Sequence, residues 1–224
     1  MKTKEEIIKF LKEPKPESFN EISEELLRHL VILKKEQKLN EVKKDVKYNI
    51  SEIEFYYYGE GHQDRHTYIR NTNAGSWFFH GSGVDLAFQT IEDKEKGTLT
   101  SFGGILIRSI IKTGDKVNEE ISGPIRCMEE LINNNVGVLE WDMVEESLNK
   151  DKEVARNQRT GLTPFKAEKE NQQEDFTKKT YKYYLEEKPW QKINKRYKYL
   201  PRQKDKKMYI TIKMAEDKIE YNVE

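Results

Sequence analysis

Cysteine is almost absent. The chain of 224 residues has one, Cys127, so no intrachain disulfide framework is possible. It stands among Ile125, Met128 and Leu131 and reads as a small core residue, and a free buried thiol suits a reducing compartment. Long apolar runs are missing too. None approaches the roughly 20 residues that a membrane span needs. The N-terminal MKTKEEIIKFLKEPK scatters charges through its short apolar run, which is not the pattern of a secretory signal. A soluble, cytoplasmic monomer with no membrane partner is expected. Net charge is also lacking: 40 Lys and Arg balance 40 Asp and Glu, so global electrostatics give no support for gripping a long duplex by charge alone. With one cysteine, and with His62, His66 and His80 not arranged as a cluster of ligands, no metal or cofactor is expected. GSGVD (81–85) lacks the lysine and following helix of a phosphate loop. No serine or cysteine nucleophile stands in a recognisable setting.

What is abundant is charge of both signs, 36% of residues against 35% hydrophobic, which predicts a compact core under a strongly solvated surface. Residues 3–12 read as an amphipathic helix with Ile7, Ile8 and Leu11, stopped by Pro14 and Pro16. A second helix is expected from a cap at Asn20, with Ile22, Leu26, Leu27, Leu30 and Val31 on one face. Lys34 to Lys47 is a polar loop or hairpin. Strands are expected at about 47–58, 76–80, 83–90 and 103–111, with Gly81-Ser82-Gly83 turning a hairpin. Ile91 to Thr100 reads as a charged connection. Ser122-Gly123-Pro124 opens a third helix that ends at Asn133-Asn134-Asn135. Trp141 to Leu148 is a further short element, Lys150 to Thr177 a long polar stretch, and Tyr181–Leu185 and Met208–Met214 alternate as strands. The pattern predicts an α+β fold. A curved, mostly antiparallel, open-barrel-like sheet with flanking helices forms one domain over 19–224, and residues 1–18 form a helical extension.

The densest chemistry lies in SEIEFYYYGEGHQDRH (51–66). On a strand, Ile53, Phe55 and Tyr57 share one side, and Glu52, Glu54, Tyr56 and Tyr58 the other. Asp64 and His66 follow a glycine turn. GGILIRSI (103–110) reads as a buried strand ending in Arg108, which calls for an acidic partner. Taken alone, Glu54 fits a carboxylate on the wet face of a half-exposed strand, the tyrosines fit strand formers, and His66 fits a surface or core histidine. Together, a carboxylate, flat rings, an imidazole and an arginine are the parts that hold a planar base and drive water at a sugar carbon.

In order and spacing these pieces resemble the alkyladenine (3-methyladenine) DNA glycosylases. The resemblance rests on Glu52-Ile53-Glu54-Phe55-Tyr56, then Asp64 and His66, Arg70-Asn71, and the aromatic hairpin at 77–88. It continues through Ile105-Leu106-Ile107-Arg108, Ser122-Gly123-Pro124 and Arg159-Thr160-Gly161-Leu162. Upstream, residues 26–32 fit the family's opening segment, so the match spans most of 20–185. The resemblance implies excision of alkylated purines from double-stranded DNA by base flipping, with no strand cleavage, and a nucleoid-associated location if the chain binds DNA. It implies Glu54 as the general base for water and Arg108 as the group that holds water and carboxylate. Tyr56 is implied as the ring that stacks on the flipped base and His66 as its contact on the opposite wall. The family's hairpin carries an aromatic wedge; here Phe79 or His80 is expected to fill the gap. The basic, aromatic-rich stretch at 188–204 places Trp190, Tyr197 and Tyr199 near Lys192, Lys195, Arg196 and Arg202. It reads either as a surface that tracks phosphates or as a solvated edge with anchoring aromatics. A catalytically inactive nucleic-acid-binding or interaction module on the same fold is the alternative.

Overall fold

A computed structural model of the protein describes residues 1–36, 45–114, 118–132, 137–170, 173–186, 210–215 and 218–223. The first helix, α1 (Lys4–Lys12), is started by a reciprocal cap. The Thr3 hydroxyl accepts the Glu6 N–H, and the Glu6 carboxylate accepts the Thr3 N–H. Its apolar stripe buries Ile7 and Leu11 completely. Both belong to the main core, so α1 is part of the domain rather than an extension outside it. A 3-10 turn at Pro16–Ser18 leads into α2 (Phe19–His29). Asn20, expected as the cap, is instead the second residue of that helix. Its backbone carbonyl accepts the Ser23 hydroxyl and its amide oxygen accepts the Tyr183 hydroxyl.

Leu30 and Val31, expected on the face of the second helix, are the first residues of a strand, β1 (Leu30–Glu36). The chain turns extended at Leu30. Branched and apolar side chains suit a strand with a partner on each side, and β1 pairs with β2 (Asp45–Gly59) and with β9 (Gly137–Met143). The other strands are β3 (His62–Gln63), β4 (Trp77–His80), β5 (Gly83–Ala87), β6 (Ile91–Asp93), β7 (Thr98–Lys112), β8 (Glu119–Ser122), β10 (Val154–Asn157) and β11 (Lys182–Leu185). The remaining helices are α3 (Pro124–Ile132) and the single turn α4 (Lys166–Lys169). A hairpin of β12 (Ile210–Ala215) and β13 (Lys218–Val223) forms a separate two-stranded sheet. Ile91–Thr100, expected as a connection, is a tight hairpin between β6 and β7. The Asp93 carboxylate accepts the Glu95 and Lys96 N–H groups, and Gly97 takes the left-handed conformation that closes the turn.

Eleven strands make one antiparallel sheet ordered β10-β11-β2-β7-β5-β4, with β1, β3, β6, β8 and β9 attached to this path. It curls as a half-barrel around α1, α2 and α3, the α+β architecture that the sequence pattern predicts. The two longest strands, β2 and β7, carry register irregularities at one level. Ser51 is extra on β2 between the Ile50–Ile110 and Glu52–Ser109 pairs, and Arg108 is extra on β7 between Glu52–Ser109 and Ile53–Ile107. Such irregularities bend a strand and re-aim its side chains. Arg108 therefore lies within its strand, not at the end of it as expected. Beyond the bend, Tyr57 faces Gly103 across the pair; a Cβ at Gly103 would lie 2.3 Å from the Tyr56 carbonyl oxygen, so a side chain there would push the strands apart.

The inward face of β2 delivers Ile53, Phe55 and Tyr57 to the core. Phe19 stacks on Phe55 at 4.3 Å, and Tyr183 meets Phe55 edge-on at 5.5 Å. Truncating Phe55 to Ala is expected to cost about 3–5 kcal/mol. Cys127 is fully buried in α3, as read from the sequence. Among the described residues no helix is long and apolar enough to cross a membrane.

His62 is a structural histidine of this core rather than a ligand. Its Nδ1 lies 2.9 Å from the Tyr57 carbonyl oxygen and its Nε2 lies 3.0 Å from the Tyr181 hydroxyl. Burial lowers its pKa below the ordinary 6.5, against the pull of the Tyr57 carbonyl and Asp64. The unfolded chain then takes up the proton more readily than the folded one. The stability that neutral His62 contributes is whole above about pH 6.5 and is lost as pH falls through the lower folded value. The melting temperature of the wild type is expected to drop between pH 7 and pH 5 more steeply than that of His62→Asn; parallel curves would remove His62 as the cause.

Candidate functional site

Alternation along β2 sends Glu52, Glu54 and Tyr56 to the face opposite the core, and the shared bend brings Arg108 against them. Arg108 Nε donates to Glu52 Oε1 at 3.0 Å and its Nη1 to Glu54 Oε2 at 3.2 Å. The Tyr56 hydroxyl donates to the same Glu54 oxygen at 3.0 Å, and the Thr160 backbone N–H donates to Glu54 Oε1 at 2.8 Å. Lys182, which faces Glu54 in the register of β11 on β2, reaches Glu52 Oε1 at 3.1 Å and the Thr160 hydroxyl at 3.0 Å. Two carboxylates thus face two cations, and the charge is balanced locally. Burial works against the charge on Arg108, but Glu54 and then Glu52 outweigh it and raise its pKa, so it stays cationic. Burial first, and the Glu54 carboxylate next, raise the Tyr56 phenol far above its ordinary range. It remains a neutral donor at any physiological pH.

Beneath these residues lies a second pair. Asp64 and Arg159 form an ion pair with both side chains fully buried. Arg159 also donates to the Phe55 and Phe176 carbonyls, and its guanidinium carbon sits 4.5 Å from the centroid of the Tyr56 ring. The other Asp64 oxygen accepts the His66 N–H at 3.1 Å, and the His66 ring stacks on Phe165 at 4.6 Å. One buried pair therefore fixes the backing of Tyr56 and the loop that carries His66.

Tyr56, His66 and Arg108 line one open cavity of about 660 Å³, within the range of ordinary small-molecule sites. Tyr68, Arg70, His80, Asp85, Leu162 and Ile125 of α3 line it as well. Of the four residues singled out from the sequence as catalytic or base-binding, three reach this space. Glu54 stands directly behind Tyr56 and Arg108, with no exposed surface.

The hairpin differs from expectation. Trp77 and Phe79 share the inward face of β4: Trp77 is buried with its indole N–H on the Leu139 carbonyl, and Phe79 packs against the core. Phe79, one of the two residues expected to fill a gap in a base stack, is thus only partly exposed. His80 lines the cavity, but both of its ring nitrogens are engaged. Its Nδ1 accepts the Ser82 N–H at 3.3 Å, which leaves Nε2–H to donate to Asp85 at 3.1 Å. Asp85 is buried and paired with Arg70, whose guanidinium lies 4.2 Å from the Phe78 ring centroid. An acid in the middle of an apolar arm was a legible signal for such a partner. The roles of Thr160 and Lys182 had no signal in spacing, since each depends on a strand pairing or loop path more than a hundred residues from Glu54. The phosphate-contact residues read at Lys192, Lys195, Arg196 and Arg202 lie outside the described residues.

No family model matches the chain, and no curated protein matches it. The chemistry available is set by the side chains. A carboxylate clamped by an arginine, a phenol and a backbone N–H is held in one orientation. The aromatic rings of Tyr56, His66, Tyr68 and His80 among the lining residues suit a planar heterocycle, for which the cavity has ample room. An arginine behind Tyr56 takes up part of that ring's electron density, so the ring offers a bound cation less attraction than a bare tyrosine does.

Proposed function

We propose that this protein is a monofunctional DNA N-glycosylase that flips an alkylated purine out of the duplex and hydrolyses its glycosidic bond with a water activated by Glu54. The observation that carries this reading is a cavity whose walls include Arg108, Tyr56 and His66, with Glu54 held behind that wall by Arg108 and Tyr56. These are the four residues that the resemblance to alkyladenine DNA glycosylases picks out. A base inside a duplex is unreachable, so the target must be extruded and held by stacking and edge contacts. Tyr56 and His66 take the base between them.

An ionised carboxylate offers roughly four acceptor positions. Thr160, Tyr56 and Arg108 use three on Glu54, and the fourth is left to the attacking water. The water oxygen bonds to the sugar C1′ as the C1′–N bond breaks. The bonding pair leaves with the purine, and the water proton passes to Glu54. A purine that carries the positive charge of alkylation leaves as a neutral molecule. Arg108 steers the carboxylate throughout, and no strand is cut.

The complete burial of Glu54 favours one second reading, a binding module of the same fold in which the carboxylate only braces the sheet. Release of free base from methylated duplex DNA by the pure, folded protein separates the two: release supports the glycosylase, and binding without release supports the module. Neutralising Lys195 and Arg196 is expected to weaken binding to all sequences alike and to flatten its salt dependence by about one to two units of slope, one for each phosphate contact removed. An unchanged slope in equilibrium binding would take that stretch out of the interface.

A further inference from the structure

Taking a base out of a duplex leaves a gap, and proteins that unstack bases hold the opened step with an inserted apolar side chain. The aromatic hairpin holds its rings close: Phe79 packs on the core, His80 is tied to Asp85 and Ser82, and Phe78 lies between His80 and the Arg70 guanidinium, all three only partly exposed. The segment just before the hairpin offers an exposed apolar side chain. Ile69 is 77% exposed, the most exposed large hydrophobic residue among those described. It lies between two residues that line the cavity, Tyr68 and Arg70.

Its backbone is pinned on both sides. The Arg70 Nε donates to the Tyr68 carbonyl at 3.0 Å, and the Arg70 guanidinium is held by buried Asp85. The Arg70 carbonyl accepts the Thr90 hydroxyl at 3.0 Å, and the Tyr68 and Ser82 hydroxyls meet at 2.9 Å. A branched apolar side chain is thus presented to water on a hydrogen-bonded support between two cavity-lining residues. An exposed, preorganised isoleucine gains nothing from water, whereas it loses little entropy on entering a base step. Two further apolar side chains at this cavity are exposed in part, Ile125 in its lining and Phe165 against His66. Asp85, the acid among the described residues that line the cavity, is buried and paired, as are Glu54 and Asp64, while Arg65 beside Phe165 is exposed. Such a face suits a polyanion with hydrophobic steps rather than an acidic protein.

The geometry points to Ile69 as the wedge that enters the base stack of duplex DNA where the flipped nucleotide leaves it, a positioning residue that rests on the reading above. The test compares wild type, Ile69→Ala and Ile69→Leu on one methylated sequence as duplex and as single strand. Binding to a duplex with a stable abasic site is measured alongside. Ile69→Ala is expected to lose about tenfold or more in excision from duplex, to lose little on single strands, and to be rescued by Leu, with melting temperature unchanged. Equal activity of Ile69→Ala on duplex, or an equal loss on both substrates, would overturn the wedge while leaving base release by the wild type standing. Should the wild type release no base but bind the abasic duplex, the glycosylase reading fails. The wedge then stands on weakened binding of Ile69→Ala and falls on unchanged binding. A wild type that binds no DNA removes both.

Discussion

Glu54→Gln is expected to lose base release by about 10²–10⁴-fold while keeping its fold and its affinity for duplex DNA. The side chain it replaces makes no contact with solvent, so the result depends on what the amide does to the local network. Glutamine has nearly the same shape. With its oxygen toward Thr160 it still accepts that N–H, and its NH₂ then faces Tyr56 and Arg108. The phenol can turn to accept from the amide. Arg108 loses one partner but keeps Glu52 at 3.0 Å, so it remains paired. The balance of two carboxylates and two cations becomes one against two, and Lys182, whose side chain keeps 14% of its surface in water, is open to screening by solvent. What the amide cannot do is take a proton from water at neutral pH. Single-turnover release from methylated duplex, measured with binding to an abasic duplex, separates the effects. Full activity of the variant would remove Glu54 from the chemistry. A loss of binding equal to the loss of release would make it a structural brace, in line with its burial.

Much of this site was legible because a strand has a period of two. Ile53, Phe55 and Tyr57 had to share a face, and Glu52, Glu54 and Tyr56 the other, whichever sheet the strand joined. The same parity, applied to the hairpin, sets Trp77 with Phe79 and His80 with Phe78; it was the signal that would have kept Phe79 in the core. The end of α2 was less legible. Leu30 and Val31 continue the apolar helical spacing of Leu26 and Leu27, and only the pairing of β1 on both edges decides that they are extended. The bulges at Ser51 and Arg108 left no local mark, because a residue without a partner in register is a property of two strands, not of one. The pair Asp64–Arg159 lay equally hidden. Both residues sit inside the motifs that carried the resemblance, yet nothing in a separation of 95 positions says that they meet under Tyr56.

That hidden pair carries the largest expected effect on stability. Asp64 and Arg159 are buried side by side, and removing one partner leaves an uncompensated charge in the interior. Asp64→Asn is expected to cost about 3–5 kcal/mol, which for a chain of this size lowers the melting temperature on the order of 10 °C. The loss is not confined to the fold. Arg159 backs the Tyr56 ring and Asp64 anchors the His66 loop, so both walls of the cavity loosen together. Base binding is expected to weaken even at temperatures where the variant is folded. The double substitution Asp64→Leu with Arg159→Met removes both charges, and it is expected to recover part of the stability, since replacing a buried pair by apolar groups costs less than orphaning one member. It does not restore the backing of Tyr56. A double-mutant cycle followed by both thermal melting and base binding therefore gives two different answers for one pair: strong coupling in stability, and in binding a loss that the second substitution does not repair. Additive stability losses would show that the ion pair is not what holds this part of the sheet. Recovery of binding in the double variant would show that Tyr56 is held in place by something other than the arginine behind it.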